Sequence, residues 1–427
     1  MLTDRYGNEL ATRSTETRDL YVDAVDKLLG AAPDTREAFE AVTASDPNFA
    51  LGHSSLARAC QIKGDPTAAK AAMATARSLT EGLSAKDAAH INALGLLIDG
   101  NGAAAYPAIR QHVAEHPRDV LVAQTCTSVF GLIGFSGRPG REAELLAYTT
   151  SLAPHYGDDW WFLSQHAFSF CETGQLDRAD EMIDRALVVN PRNAHGAHVR
   201  AHVYYEAGEP AAGMSFLEGW LPDYDQAGLM HSHLSWHLAL WKLGQGDIDG
   251  VWSLVDQYIR PSASQAFPLI VLTDYAAILY RAELAGVPVP VERWKVVSDY
   301  AHKHFPNCGV AFADVHAALA YAMTGETDAL SRIIANPAGP AGDVVKEAAA
   351  AFQAIAAEDW SGAADHLAAA MADHARIGGS RAQRDLLDHS MLAVMLKLGR
   401  SDEARRLLAL RRPVQSANPP VAGMAVA

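Results

Sequence analysis

Cysteine is scarce in this chain, which has four in 427 residues. Cys60, Cys126, Cys171 and Cys308 lie far apart, and none of them belongs to a Cys-x-x-Cys motif. This usage argues against a disulfide framework and against a zinc site built on cysteine.

Long apolar runs and long basic runs are also absent. No stretch approaches the roughly 20 apolar residues that a membrane-spanning helix needs, and the polar start MLTDRYGNELATRSTE lacks the apolar core of a secretion signal. The net charge is −15, so the backbone of a nucleic acid would be repelled. We therefore expect a cytoplasmic protein that binds neither membranes nor nucleic acids.

Cofactor signatures are missing as well. No glycine-rich dinucleotide fingerprint follows a strand, and the sequence contains no phosphate-binding loop. A nicotinamide or nucleotide cofactor is therefore not expected, and the sequence predicts no cofactor.

A repeated helical unit accounts for most of the sequence. Its clearest copy spans residues 159–193, where Gly174, Ala179, Ala186 and Pro191 have the spacing of a tetratricopeptide repeat of roughly 34 residues. The glycine ends a first helix, the alanines let a second helix pack closely on it, and the proline ends the unit. We predict an all-α fold, a single superhelical α-solenoid of about ten such hairpins.

The chain divides into three predicted segments. Residues 1–45 form two N-terminal helices, the first of which includes Thr17–Leu29. Residues 46–410 form the solenoid, in which the glycine-rich loop Gly134–Gly140 interrupts one repeat. Residues 411–427 have no helical period and are expected to be extended or disordered.

Histidines concentrate in two consecutive predicted helices. His198 and His202 lie four residues apart in the first helix, and so do His233 and His237 in the second. Residues i and i+4 share one face of a helix, and packed helices lie roughly 8–10 Å apart. The four side chains are therefore expected to approach one another. A lone histidine in a helix is usually a half-buried residue with one satisfied hydrogen bond, but two such pairs favour a functional site.

Five stretches outside the generic repeat resemble the tetratricopeptide repeat protein 38 family. They occur in the order DPNFALGH (Asp46–His53), HVRAH (His198–His202), HLSWH (His233–His237), FADVH (Phe312–His316) and GGSRAQRD (Gly378–Asp385). The likeness covers nearly the whole chain, and GGSRAQRD is its most specific motif. The chain departs from the family pattern at Tyr205, where an acidic residue is expected, with Glu206 one position later. The resemblance implies a solenoid fold; the activity of this family is ill defined. For tetratricopeptide repeats in general, it implies that the first helix of each unit lines a concave surface, where His198 and His202 take inward-facing positions.

The GGSRAQRD motif combines a tight turn with groups that suit an anionic ligand. Its two glycines allow close backbone approach, and Ser380 is predicted to cap the next helix. Gln383 and Arg384 then lie near the first turn, where Arg384 and backbone N–H groups suit a carboxylate or phosphate. The alternative is an Arg384 side chain paired with an acid of its own chain.

The remaining candidates lie elsewhere on the repeat. Asp314 and His316 stand near a helix start, with Asp314 expected to orient a histidine. Asp274 is expected to cap a helix, with a ligand role as the alternative. His53 is a candidate to close the site from the N-terminal side if the solenoid curls. Trp236 is a candidate pocket wall, although an aromatic residue at a repeat position is more often part of the core.

Two functions remain open at this level. The first is an enzyme of hydrolase, lyase or isomerase type that acts on a small polar or anionic molecule. Its acid–base groups would be His198, His202, His233, His237, His316 and Asp314, and its substrate-binding groups would be Arg384, Gln383, Ser380, Trp236 and His53. A metal-assisted variant would use the histidine pairs together with Asp314 as ligands, although neither pair contains the internal glutamate of HExxH. The second function is a non-catalytic scaffold for a peptide or protein. Dimerisation through end repeats is compatible with either function.

Overall fold

The computed structural model of the chain describes residues 2–411 and 421–424. A short antiparallel ribbon, β1 (Leu2–Thr3) and β2 (Glu9–Leu10), precedes the helices. The helices are α1 (Thr15–Leu29), α2 (Thr35–Ser45), α3 (Ala50–Ile62), α4 (Pro66–Ser78), α5 (Ala85–Ile98), α6 (Gly102–Glu115), α7 (Val120–Ala123), α8 (Arg141–Tyr156), α9 (Trp160–Glu172), α10 (Leu176–Val189), α11 (Ala194–Ala207), α12 (Pro210–Trp220), α13 (His231–Gln245), α14 (Ile248–Leu254), α15 (Pro268–Leu284), α16 (Val291–His304), α17 (Ala311–Thr324), α18 (Thr327–Ala335), α19 (Gly342–Ala356), α20 (Trp360–Met371), α21 (Arg381–Lys397) and α22 (Ser401–Arg411). Short 3-10 turns lie at Gln124–Cys126, Leu221–Asp223 and His374–Ile377, and a π-helical turn, Val255–Ile259, continues α14.

Successive helices pack as antiparallel pairs, and each pair packs on the next, which defines an all-α solenoid. From α3 to α22, nine such pairs occur among the described residues, because the four-residue α7 and α8 do not form a comparable pair; this agrees with the prediction of about ten hairpins. The hairpin turns follow the predicted chemistry. Gly208 ends α11 and Gly246 ends α13 in the left-handed conformation, with φ of 71° and 76°, and Ala179 and Ala186 are fully buried between paired helices.

The solenoid is wound tightly enough for distant hairpins to touch. At the N-terminal side, the backbone N–H of Ala194 donates to the carbonyl of Gly30 at 3.0 Å, and the hydroxyl of Tyr224 donates to the carbonyl of Ala31 at 2.6 Å. At the C-terminal side, the hydroxyl of Tyr205 on α11 donates to Asp385 on α21 at 2.9 Å. The central hairpin that begins with α11 therefore contacts both the end of α1 and the late helix α21.

The segment between α7 and α8, residues 124–140, contains the predicted interruption Gly134–Gly140, and we call the whole segment the plug loop. Val129 and Ile133 within it are completely buried. At its far end, the guanidinium of Arg376 donates to the carbonyl of Gly137 at 3.0 Å. The plug loop thus lies inside the superhelix and contacts the last hairpins, where an open groove would otherwise run.

The predicted C-terminal tail is described only in part. Val421 and Met424 are buried against the last hairpins, and the backbone N–H of Ala422 donates to the carbonyl of Leu284 at 2.7 Å. Residues 412–420 and 425–427 lie outside the described residues, and the three-part division of the chain remains a prediction. Within the part that the structure describes, no helix combines the length and the apolar character that crossing a membrane requires.

Candidate functional site

Four histidines from two consecutive hairpins meet in the interior. His198 and His202 project from α11 and His233 and His237 project from α13, and we call them the histidine cluster. One nitrogen from each ring lies within 4.8 Å of the corresponding nitrogens of the other three. Their residues are between 0 and 4% exposed. The predicted approach of the two pairs is therefore confirmed, and water has almost no access to them.

The ring nitrogens of three of these histidines face one another directly. Nε2 of His198 lies 2.9 Å from Nε2 of His202 and 3.0 Å from Nε2 of His233. A neutral imidazole nitrogen carries either one proton or one lone pair, so His198 Nε2 satisfies one of these contacts well and the other poorly. The arrangement leaves lone pairs converging on a common point.

A buried carboxylate orients one member of the cluster. The Nδ1–H of His233 donates to Oδ2 of Asp274 at 2.7 Å, and both side chains are 1% exposed. This bond places the proton of His233 on Nδ1 and leaves a lone pair on Nε2, which points into the cluster. Burial raises the pKa of Asp274, while His233 and the Gln383 amide oppose that rise. The expected capping role of Asp274 is wrong, because α15 begins six residues earlier at Pro268.

Burial disfavours the charged form of two members of the cluster. Desolvation lowers the pKa of His198 and His237 well below 6.5, and the neighbouring imidazoles act in the same direction. Neither ring nitrogen of His237 has a hydrogen-bond partner among the described residues. The indole of Trp236 stacks on His233 at 5.3 Å and closes one side of the cluster. A buried polar ring without a partner is uncommon in native proteins and calls for an ion or a water molecule.

The plug loop closes another side of the cluster. The ring of Phe130 contacts His233 edge to face at 6.5 Å, and it also packs against Phe267 and Phe312 at 6.1 and 6.3 Å. These aromatic contacts fill the space in front of His233. An extended peptide therefore cannot run along this part of the concave surface while the plug loop holds its position.

The donor set fits a divalent transition metal. Four imidazole nitrogens are ligands that zinc and its neighbours accept, in tetrahedral geometry at about 2.0–2.1 Å. That geometry places ligand nitrogens about 3.3 Å apart. The closest nitrogens here lie 2.9 and 3.0 Å apart and all lie within 4.8 Å, so side-chain shifts of about 1 Å would bring them to the ligand positions.

Asp314 and His316 do not belong to the histidine cluster. Asp314 accepts a hydrogen bond from the backbone N–H of Gly309 at 2.9 Å, and burial raises its pKa to about 6. His316 donates from Nδ1 to the carbonyl of Phe312 at 2.7 Å, and burial lowers its pKa to about 4. The expectation that Asp314 orients a histidine is therefore wrong for the cluster, where Asp274 has that position.

The GGSRAQRD motif forms the predicted cap. The Ser380 hydroxyl accepts from the backbone N–H of Gln383, and the Gln383 side chain accepts from the backbone N–H of Ser380, which together cap α21. The expected close approach also occurs, since a Cβ atom on Gly378 would lie 2.5 Å from the ring of Phe135 in the plug loop. The motif thus anchors the plug loop against the last repeats.

Arg384 is engaged with groups of its own chain. Its guanidinium forms an ion pair with Glu142 on α8 and lies 3.8 Å from Glu172 on α9. It also donates to the carbonyl of Gly379. Burial raises the pKa of Glu172 to about 7, against the opposing effect of Arg384, and the backbone N–H of Arg381 donates to the same carboxylate. Anion binding by Arg384 would have to displace these contacts.

The two remaining candidates occupy different environments. His53 on α3 hydrogen-bonds through Nε2 to the carbonyl of Pro47 at 2.9 Å, within its own hairpin. It is not part of the cluster. Trp236 is completely buried and walls the cluster, while it also belongs to the core of the C-terminal half.

A second polar cluster, which the sequence did not single out, lies in the N-terminal hairpins. Asp119 accepts from Nδ1 of His90 at 2.9 Å and from Nε2 of His112 at 2.8 Å. The other nitrogen of His90 lies 3.2 Å from the hydroxyl of Ser54. Burial raises the pKa of Asp119, but His90 and His112 outweigh that effect and hold it well below its usual range. No local sequence pattern marks this cluster, because His90, His112 and Asp119 come from three successive elements of the chain.

Comparisons with known proteins concern the helical architecture. No family model matches the chain. The human IFIT1 dimer with m7Gppp-AAAA aligns over 97% of this chain and 98% of its own, at 14% identity and a TM-score of 0.45. Yeast Tom70 aligns over 93% and 84%, at 14% identity and a TM-score of 0.37, and the TPR domain of P58(IPK) over 93% and 99%, at 13% identity and 0.22. At these identities and TM-scores the similarities support no functional argument, and the function of the chain has to be argued from its own residues.

Proposed function

We propose that this protein is a metal-binding solenoid in which the histidine cluster holds one divalent transition-metal ion of the zinc class. The observation that carries this proposal is the convergence of four buried imidazoles, one of which, His237, has no hydrogen-bond partner among the described residues. Neutral imidazole is the form that ligates metals. A nitrogen lone pair that points at a metal ion is stabilised, whereas two lone pairs that point at each other repel.

The carboxylate of Asp274 supports this proposal. Ligating histidines almost always donate their second N–H to a carboxylate or carbonyl, which fixes the ring and makes it a better ligand. Asp274 does this for His233. Its negative charge also offsets part of the charge of a buried dication. The charge of Arg281 acts on His237, but its guanidinium donates to the hydroxyl of Tyr205 and to the carbonyl of Ala382.

The closed surroundings favour a structural ion over a catalytic one. Catalytic zinc keeps one coordination position open for water or substrate, whereas the cluster offers four protein ligands and is 0 to 4% exposed. An ion there would join α11 to α13 and so fasten two consecutive hairpins. In this reading the protein acts as a binding scaffold, and the metal stabilises its central repeats.

A second candidate is acid–base catalysis on a small polar molecule, the first function considered for the sequence. It is favoured by the hydrogen-bonded series Asp274–His233–His198, because a carboxylate that orients an imidazole is a common catalytic arrangement. Substrate entry would require the plug loop to move away from His233. Arg384, Gln383, Ser380, Asp314, His316 and His53 would then contribute only through a rearrangement of their present contacts.

We also infer membership of the tetratricopeptide repeat protein 38 family from the motif order described above. Two of its motifs supply the histidine cluster, and GGSRAQRD supplies the cap of α21 and the contact with the plug loop. A shared role for these motifs would explain why they differ from the generic repeat. A peptide or protein partner is the class expected for a scaffold, while the absence of nucleic-acid binding remains a prediction from the net charge.

The proposed metal site is tested by elemental analysis of protein purified without a histidine tag. We expect about one zinc-class ion per chain and, after metal removal, stoichiometric Co²⁺ uptake with the intense visible bands of a four-coordinate nitrogen site. His198→Ala and His237→Ala should lose both signals. His316→Ala is the matched control, because it removes an equally buried histidine outside the cluster.

Three outcomes would count against the proposal. Wild-type protein that neither contains nor takes up metal would exclude the ion. Equal loss of metal in the His316→Ala control would indicate a general effect on folding. Five-coordinate Co²⁺ spectra that change when a small anion is added would favour the catalytic candidate over the structural one.

A further inference from the structure

A cavity of about 860 Å³ lies between α12, α13 and the π-helical turn. This volume is in the range of small-molecule sites. His231, Ser235 and Leu238 line it and share one face of α13, since they lie four and three residues apart. His233 and His237 each lie two residues after a residue that lines the cavity, His231 and Ser235, and therefore point to a different face of α13. The cavity is therefore separate from the histidine cluster.

A buried imidazole without a hydrogen-bond partner is directed into this cavity. His231 is 6% exposed, and no hydrogen bond to its ring nitrogens is found within the described part of the chain. Two tyrosines hold its ring: Tyr258 contacts it edge to face at 4.8 Å, and Tyr224 lies parallel to it at 6.2 Å. The position of the His231 ring is thus fixed, while its two ring nitrogens make no hydrogen bond to the described residues. Such a side chain is suited to bind a ligand in the cavity.

The charges around the cavity have one sign. Its lining contains the carboxylates of Glu218, Asp223 and Asp225 and no lysine or arginine. Glu218 pairs with Lys242 at 3.0 Å and Asp223 with Arg192 at 3.5 Å, both from outside the lining. The side chain of Asp225 accepts a hydrogen bond from the backbone N–H of Ala227 at 2.8 Å and has no ion-pair partner among the described residues. Its negative charge is available to a ligand at the mouth.

The aromatic and apolar side chains of the lining indicate what the rest of the ligand is like. Tyr258 belongs to the π-helical turn Val255–Ile259, and such turns occur frequently at functional sites. Tyrosine faces attract cations, and Leu217 and Leu238 supply an apolar wall. We propose that this cavity binds an amine with an aromatic or apolar body, whose ammonium group meets Asp225 and whose body lies between the tyrosines and leucines beside His231.

The test uses the full chain and tyramine as the probe, with calorimetry as the measurement. We expect saturable binding of one tyramine per chain. The carboxylate analogue 3-(4-hydroxyphenyl)propionate, with a similar body and the opposite charge, should bind at least about tenfold more weakly. The titration is repeated in the presence of a chelator, so that tyramine binding is tested independently of the proposed metal site.

Two variants and one control locate the site. Asp225→Asn should weaken tyramine binding about tenfold, and Tyr258→Leu about three- to tenfold. Asp249→Asn removes the same charge from the exposed side of α14 and should leave the affinity unchanged. Circular dichroism reports whether each variant is folded. Absence of saturable tyramine binding, equal binding of the carboxylate analogue, or equal effects of Asp225→Asn and Asp249→Asn would overturn the proposal.

Discussion

Replacement of His237 by leucine separates a metal ligand from an ordinary core residue, because the two roles predict effects of opposite sign. His237 is completely buried, and both its ring nitrogens are unpaired. In metal-free protein, the substitution removes two buried polar atoms without partners and keeps an apolar body of similar size. In metal-loaded protein, the same substitution removes one of four ligands.

The magnitude follows from the structure. A buried polar atom without a partner costs about 1–3 kcal/mol, so loss of two such atoms favours the variant by about 2–6 kcal/mol. Lost ring contacts with His202, His233 and Trp236, at 4.6 to 5.0 Å, oppose this by about 0.5–1.5 kcal/mol each. The difference lies between about −2.5 and +4.5 kcal/mol, so we expect metal-free His237→Leu to be more stable than wild type by about 1 kcal/mol, the middle of this range.

Urea unfolding with and without Zn²⁺ measures the difference. An ion present at about 100 times its Kd should raise the free energy of unfolding of wild type by about 2.7 kcal/mol, and should have little effect on the variant. His316→Leu serves as the control, and its response to Zn²⁺ should match that of wild type. The reasoning is refuted if His237→Leu is destabilised by more than about 3 kcal/mol in metal-free protein and wild type gains nothing from Zn²⁺.

The remaining predictions concern the groups that support the cluster and the junction of the superhelix. Asp274→Asn keeps the shape of the side chain but should weaken metal affinity about 10- to 100-fold, measured by competition with a chelator; unchanged affinity would contradict its supporting role. Burial lowers the pKa of His316 to about 4, so near pH 6.5 the unfolded chain takes up a proton that the native side chain does not bind. The free energy of unfolding therefore falls as the pH drops from 6.5 towards 4. In His316→Leu, urea titrations should show this fall reduced by up to about 3 kcal/mol. Arg384→Leu should cost about 3–5 kcal/mol because it removes the cation beside the buried carboxylate of Glu172, and added Glu172→Gln should restore part of that loss. A null effect would mean that the ion pairs contribute no stability.

The sequence by itself determined the architecture of this protein. Glycine, alanine and proline at fixed spacing dictate where each helix ends and how closely its partner packs, and these are local properties of the chain. The spacing of His198 with His202 and of His233 with His237 also determined which faces of α11 and α13 carry imidazoles. The role of Ser380 as the cap of α21 could be predicted because a helix cap depends on residues within one turn.

Only the tertiary structure decided which side chains meet across hairpins. Asp274 lies 41 residues from His233, and no local pattern distinguishes a carboxylate that reaches a histidine of another helix from one that caps its own. The engagement of Arg384 by α8 and α9, and the plug loop that fills the groove beside His233, depend on how tightly the superhelix winds. That winding sums small rotations at every hairpin interface, so it emerges from the packing of the whole chain and not from any one repeat.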